Sequence, residues 1–87
     1  MKLEIVTPEK LVFSQDVPMA TLPGIEGEFG VLDQHSPLIA ELQEGEVRIY
    51  SSANSNSPSQ VFNIDGGVAQ VTEDACTVLI GAVKEAA

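Results

Sequence analysis

The 87 residues carry 13 acids against four bases, a formal charge of −9, and a surface of that sign repels phosphate backbones and anionic lipid, which excludes nucleic acid as a partner class. A single cysteine and a single histidine exclude an internal disulfide and the usual Cys/His zinc sites. A chain of this length makes one domain, residues 1–87, that hides only roughly 60 to 65% of its unfolded surface, so the core is thin and a partner is expected to help hold it.

In chain order, Leu3 and Ile5 alternate with Lys2 and Glu4 until Thr7-Pro8 breaks the run, which reads as a strand and a turn. The stretch from Pro23 to Gly30 reads as a glycine-rich acidic loop. Leu38, Ala40 and Leu42 line one side of the next strand, and Val47 and Ile49 line one side of another. The polar, low-complexity segment 51–60, SSANSNSPSQ, reads as a hairpin loop. Phe62 and Ile64 precede Gly66-Gly67, and Ala69 and Val71 follow, the signature of a hairpin. Cys76, Val78 and Ile80 complete the pattern. Only the tail from Ala82 to Ala87 has helix-forming composition, and it is too short to form a stable helix alone. Proline and glycine punctuation with abundant β-branched residues predicts an all-β fold, a mostly antiparallel sandwich or barrel.

The residues offer little chemistry. Gly24, Gly27 and Gly30 are spaced by three, which fits neither a dinucleotide fingerprint nor a phosphate loop, and the interleaved acids would repel phosphate. Asp33, His35 and Ser36 hold the residue types of a hydrolase triad, but neighbours in an extended chain point to opposite sides, so the segment reads as a turn with a surface histidine. Glu26 and Glu28 have the look of an acid/base pair, although no electrophile accompanies them, and a solvated acidic loop is the plainer reading. An enzymatic use of Glu26, Glu28 and His35 requires a concave pocket around all three. Cys76 reads as a small core residue. Six acids (Glu26, Glu28, Asp33, Glu41, Glu44, Glu46) precede Arg48 with no base among them, a surface suited to something basic. No apolar run approaches the ~18 residues of a membrane helix, and the charged N-terminus resembles no export signal, so a soluble protein in a reducing cytoplasm is expected.

Residues 23–49 resemble the signature region of the epsilon subunit family of F-type ATP synthases: Pro23-Gly24, Glu26-Gly27-Glu28-Phe29-Gly30, His35, Pro37-Leu38, Gly45, then Val47-Arg48-Ile49. The resemblance extends back to Leu3-Glu4-Ile5-Val6-Thr7-Pro8 and forward through Phe62, Gly66-Gly67 and Val71 to Thr77-Val78-Leu79. It implies a two-sheet, mostly antiparallel β-sandwich in a non-catalytic rotor subunit, peripheral on the cytoplasmic side of the membrane, joining the gamma subunit to the ring of c subunits. It implies no cofactor and no active site. By position, Glu26, Gly27, Glu28 and Phe29 would face the c ring, whereas His35, Ala40 and Thr7 would face gamma. Phe29 is an anchor for the ring or a core residue. Two departures stand out: Gln34 occupies a position where many relatives have glycine, and the C-terminal helical hairpin of longer members, with its ATP motif, is expected to be absent, Arg48 being the one arginine of the chain. The alternative is an acidic β-sandwich adaptor for an unrelated basic protein.

Overall fold

The computed structural model describes residues 1–32, 36–52, 56–81 and 83–84. Lys2–Val6 (β1) alternates as its sequence requires, with Leu3 and Ile5 fully buried. The Thr7-Pro8 break becomes a tight reversal, in which the Thr7 N–H donates to the Lys10 carbonyl at 2.9 Å. Leu11–Asp16 (β2) then returns antiparallel along β1. Met19–Gly24 (β3) and Gly27–Leu32 (β4) form the next hairpin. Leu38–Leu42 (β5), Gly45–Tyr50 (β6), Gln60–Ile64 (β7), Gly67–Val71 (β8), Ala75–Ile80 (β9) and the short Val83–Lys84 (β10) complete the chain.

The ladders trace one path, β10-β7-β6-β3-β5-β8-β9-β1-β2, with β4 on the free side of β3. That path folds into two layers. The halves meet at a single bridge, Gly24 to Leu42, where β3 leaves β6 and touches β5. At the far side Phe13 of β2 packs edge-on against Phe62 of β7, with centroids 5.4 Å apart and planes at 64°. One layer is therefore β4-β3-β6-β7-β10 and the other β5-β8-β9-β1-β2, with the core between them. Every pairing is antiparallel except β1 with β9. The all-β, two-sheet expectation holds.

The predicted inward sides also hold. Leu42, Val47, Ile49, Ile64, Ala69, Val71, Cys76, Val78 and Ile80 are all buried. One local reading is corrected. Most of the segment from Pro23 to Gly30 lies in strands, with a turn only at Ile25 and Glu26. At the other end, Val83 and Lys84 pair with Ile64 and Asn63 of β7, whose open edge supplies their backbone partners; a tail too short for a helix of its own is in keeping with this. The 51–60 connection is closed by Ser59, whose N–H and hydroxyl both donate to the Ile49 carbonyl, at 2.7 and 3.0 Å.

Candidate functional site: the β3–β4 tip and the outer face of β8-β9-β1-β2

The tip of the β3–β4 hairpin is held at its base by three hydrogen bonds. The Ile25 N–H donates to the Glu41 carbonyl at 3.0 Å, the Gln43 N–H donates to the Pro23 carbonyl at 2.9 Å, and Gln43 Nε2 donates to the Gly24 carbonyl at 3.0 Å. Gly27 takes φ of +133°, a conformation that L side chains rarely adopt. Gly24 is needed for a different reason: a Cβ there would stand 2.7 Å from the Gly27 carbonyl oxygen and 3.0 Å from the Phe29 ring. The tip is thus a stiff turn seated on β5.

Both tip carboxylates reach solvent, but they have different surroundings. Glu28 Oε2 accepts from Arg48 Nη1 at 3.3 Å, and Arg48 also binds Glu46 through Nη2 at 2.9 Å and Nε at 3.0 Å. The hydrogen bond to Glu46 and the charge of Glu28 raise the Arg48 pKa further, so this guanidinium stays charged. Glu26 has no base within reach among the described residues. Phe29 is half-buried: it packs against the core cluster and lines a cleft of about 460 Å³ between the tip and β5. Its ring is thus partly in the core and partly on the cleft wall.

Of the expected gamma-facing residues, Ala40 and Thr7 lie at different strands of one layer. Ala40 faces inward on β5 opposite Ala69 and lines the tip cleft. Thr7 follows β1 directly, its hydroxyl donating to the Lys10 carbonyl and accepting the Lys10 N–H, both at 3.2 Å. Strands β8 and β9 separate the two, roughly 14 Å at ordinary strand spacing. His35 lies outside the described residues. Of the other two residues that an enzymatic reading requires around one pocket, Glu26 lines the cleft, whereas Glu28 is paired with Arg48 and does not.

Sequence reading missed an apolar row on the outer face. Val68 of β8 stands opposite Leu79 of β9, Leu79 opposite Val6 of β1, and Val6 opposite Leu11 of β2. Leu11 is 54% exposed and Leu79 47%, with Val68 at 37% and Val6 half-buried. The signal was present in Val78-Leu79-Ile80, where apolar residues occupy both sides of a strand that needs only one for the core.

The family model for "ATP synthase, Delta/Epsilon chain, beta-sandwich domain" matches residues 1–86. The chain belongs to this family. It is 40% identical over 78 residues to the ATP synthase epsilon chain of Rhodospirillum rubrum, covering 90% of this chain and 56% of that one. It is 44% identical over 86 residues to the epsilon chain of Syntrophobacter fumaroxidans, covering 99% of this chain and 61% of that one. The chain therefore spans little more than half the length of these curated relatives. Against the epsilon chain of Caulobacter vibrioides it is 39% identical over 87 residues, all of this chain and 96% of that one. Two solved structures share the fold. A chain of the Tetrahymena thermophila mitochondrial ATP synthase, from a cryo-EM structure of the central stalk and c ring, superposes with a TM-score of 0.77 at 18% identity, covering 97% of this chain and 65% of that chain. A chain of the Euglena gracilis mitochondrial enzyme, from a structure of OSCP, F1 and c ring, gives 0.81 at 21% identity, covering 94% and 51%.

Proposed function

We propose that this family member is a non-catalytic central-stalk subunit that joins the gamma subunit to the c-subunit ring on the cytoplasmic side of the membrane, so that ion-driven rotation reaches the catalytic head. The observation that carries the reading is the hairpin tip, rigidly seated and presenting exposed Glu26 and Glu28. A part that passes torque needs a contact that does not yield, and carboxylates on a stiff turn give such a contact orientation as well as attraction. The outer row of Val68, Leu79, Val6 and Leu11 supports a second, apolar contact with gamma, next to Thr7 just after β1. The described residues include no helix long and apolar enough to cross a membrane.

The test uses purified gamma subunit and a reconstituted ATP synthase. The chain should retain gamma in a pull-down at micromolar concentration. Reversing both tip charges, Glu26→Lys with Glu28→Lys, should lower coupled ATP synthesis while the domain stays folded by circular dichroism. Failure to bind gamma at micromolar concentration, with coupling unaffected by the double reversal, would leave the unrelated-adaptor reading in its place.

A further inference from the structure

The cleft beside the tip has a feature that neither the acidic turn nor the outer row uses: an open strand edge. The Glu41 carbonyl accepts the Ile25 N–H, and the Gln43 N–H is spent on the Pro23 carbonyl, so both residues aim their main-chain groups at β3. Along an antiparallel strand such groups point alternately to the two sides. Ile39, two residues before Glu41, therefore aims its N–H and C=O the same way, away from β8. By that point β3 has turned into the hairpin, since β3 and β5 share only the Gly24–Leu42 bridge. Among the described residues, Ile39 meets no ladder on that side.

The side chains around this edge match it. Ile39 is 74% exposed and Ile25 54%, and both line the same cleft with half-buried Phe29 as a further apolar wall. Solvating two branched aliphatic side chains beside an open edge is unfavourable, and an added strand relieves both. The rim is acidic: Glu26 and Glu41 line the cleft, and among the described residues no base reaches either. Glu28 is engaged by Arg48 instead.

We propose that this cleft takes an extended segment of a partner chain carrying an aliphatic side chain flanked by Lys or Arg. Its backbone pairs with Ile39, its aliphatic group sits against Ile25, Phe29 and Ile39, and its cations face Glu26 and Glu41. Main-chain bonds supply affinity at such an edge, and the side-chain pocket and the charges supply selectivity. The inference rests on the reading that the tip meets the c ring, and it adds the chemistry of that contact.

The experiment compares binding of the wild-type chain and the Ile25→Ser/Ile39→Ser variant to two probes, purified gamma subunit and a detergent-solubilised gamma–c-ring assembly, with amide exchange followed at Ile39. Wild type is expected to bind both probes, and the Ile39 amide to gain protection only with the ring-containing probe. The serine variant is expected to lose at least about tenfold in affinity for that probe, as for a central apolar anchor, with gamma binding unchanged. Glu26→Gln/Glu41→Gln is expected to flatten the salt dependence of the ring contact. Wild-type binding to both probes with an unchanged serine variant and an unprotected Ile39 amide overturns the cleft while leaving the rotor reading in place. Wild-type binding to neither probe overturns the rotor reading first and removes the cleft's partner with it.

Discussion

Gly27 and Gly67 both hold positive φ, +133° and +153°, but what surrounds them differs, and replacing each by alanine separates conformational strain from steric overlap. A Cβ on Gly27 would meet nothing within 4 Å. Gly27→Ala therefore carries only the backbone penalty, about 1–3 kcal/mol for a side chain held in a sparsely populated region. A Cβ on Gly67 would stand 2.1 Å from the Leu79 carbonyl oxygen and 3.0 Å from Ile80 Cγ2. That oxygen belongs to β9, whose ladder with β8 fixes it in place, so it cannot rotate aside. Gly67→Ala adds an overpacking penalty of about 1–3 kcal/mol or more to the same backbone strain. A domain of this length has roughly 4–13 kcal/mol in total, so Gly27→Ala should remain folded with a lower midpoint and Gly67→Ala should lose a large share of its stability. Urea unfolding followed by far-ultraviolet circular dichroism, at matched m-values, measures both. If the two variants lose the same amount within about 0.5 kcal/mol, a difference ordinary packing could erase, then the crowding assigned to the β8–β9 register is wrong.

Two further outcomes follow from buried groups. Thr21 is buried and its Oγ1 has no hydrogen-bond partner among the described residues, so Thr21→Val should raise the urea midpoint by an amount corresponding to about 1 kcal/mol; a lower midpoint would mean that the hydroxyl is satisfied. Burial pushes the Cys76 thiol up to about 11 from 9.0, so between those values the native chain keeps a proton that the unfolded chain has released. Stability should be insensitive to this group below about pH 9 and should fall as pH rises towards 11, by up to about 1.4 kcal/mol per pH unit. Comparing wild type with Cys76→Ala across that window isolates the thiol, and parallel pH curves for the two would refute the assignment.

The inward faces of the later strands were legible because each needs only period-two alternation, as in Val47 and Ile49 or Cys76 and Val78. The β3–β4 hairpin was not legible, because Pro23, Gly24, Gly27 and Gly30 are turn formers by composition. Tertiary geometry admits them. The Pro23 carbonyl still accepts from Gln43 although proline has no N–H to return, and Gly24 leaves room for Phe29. The Glu28–Arg48 pair spans 20 residues, and its formation depends on how β4 and β6 flank β3, which no local pattern encodes. The resemblance grouped Ala40 with Thr7 and His35 by position alone, and only the sheet order shows that β8 and β9 lie between Ala40 and Thr7 and that Ala40 lies beside the tip. The outer apolar row was written into the order of Val78, Leu79 and Ile80 but was absorbed into the count of core residues.

The seat of β1 between β2 and β9 has a consequence for how the domain comes into being. The opening segment docks alongside residues 75–80 in parallel, so its interior place in the layer does not exist until those residues have been made. During translation β1 can pair early with β2, but its other neighbour emerges about 70 residues later, so closure of the second layer is a long-range event. The strand order thus places the exposure of Leu3 and Ile5 in the folding chain and not in the finished domain, where both are fully buried.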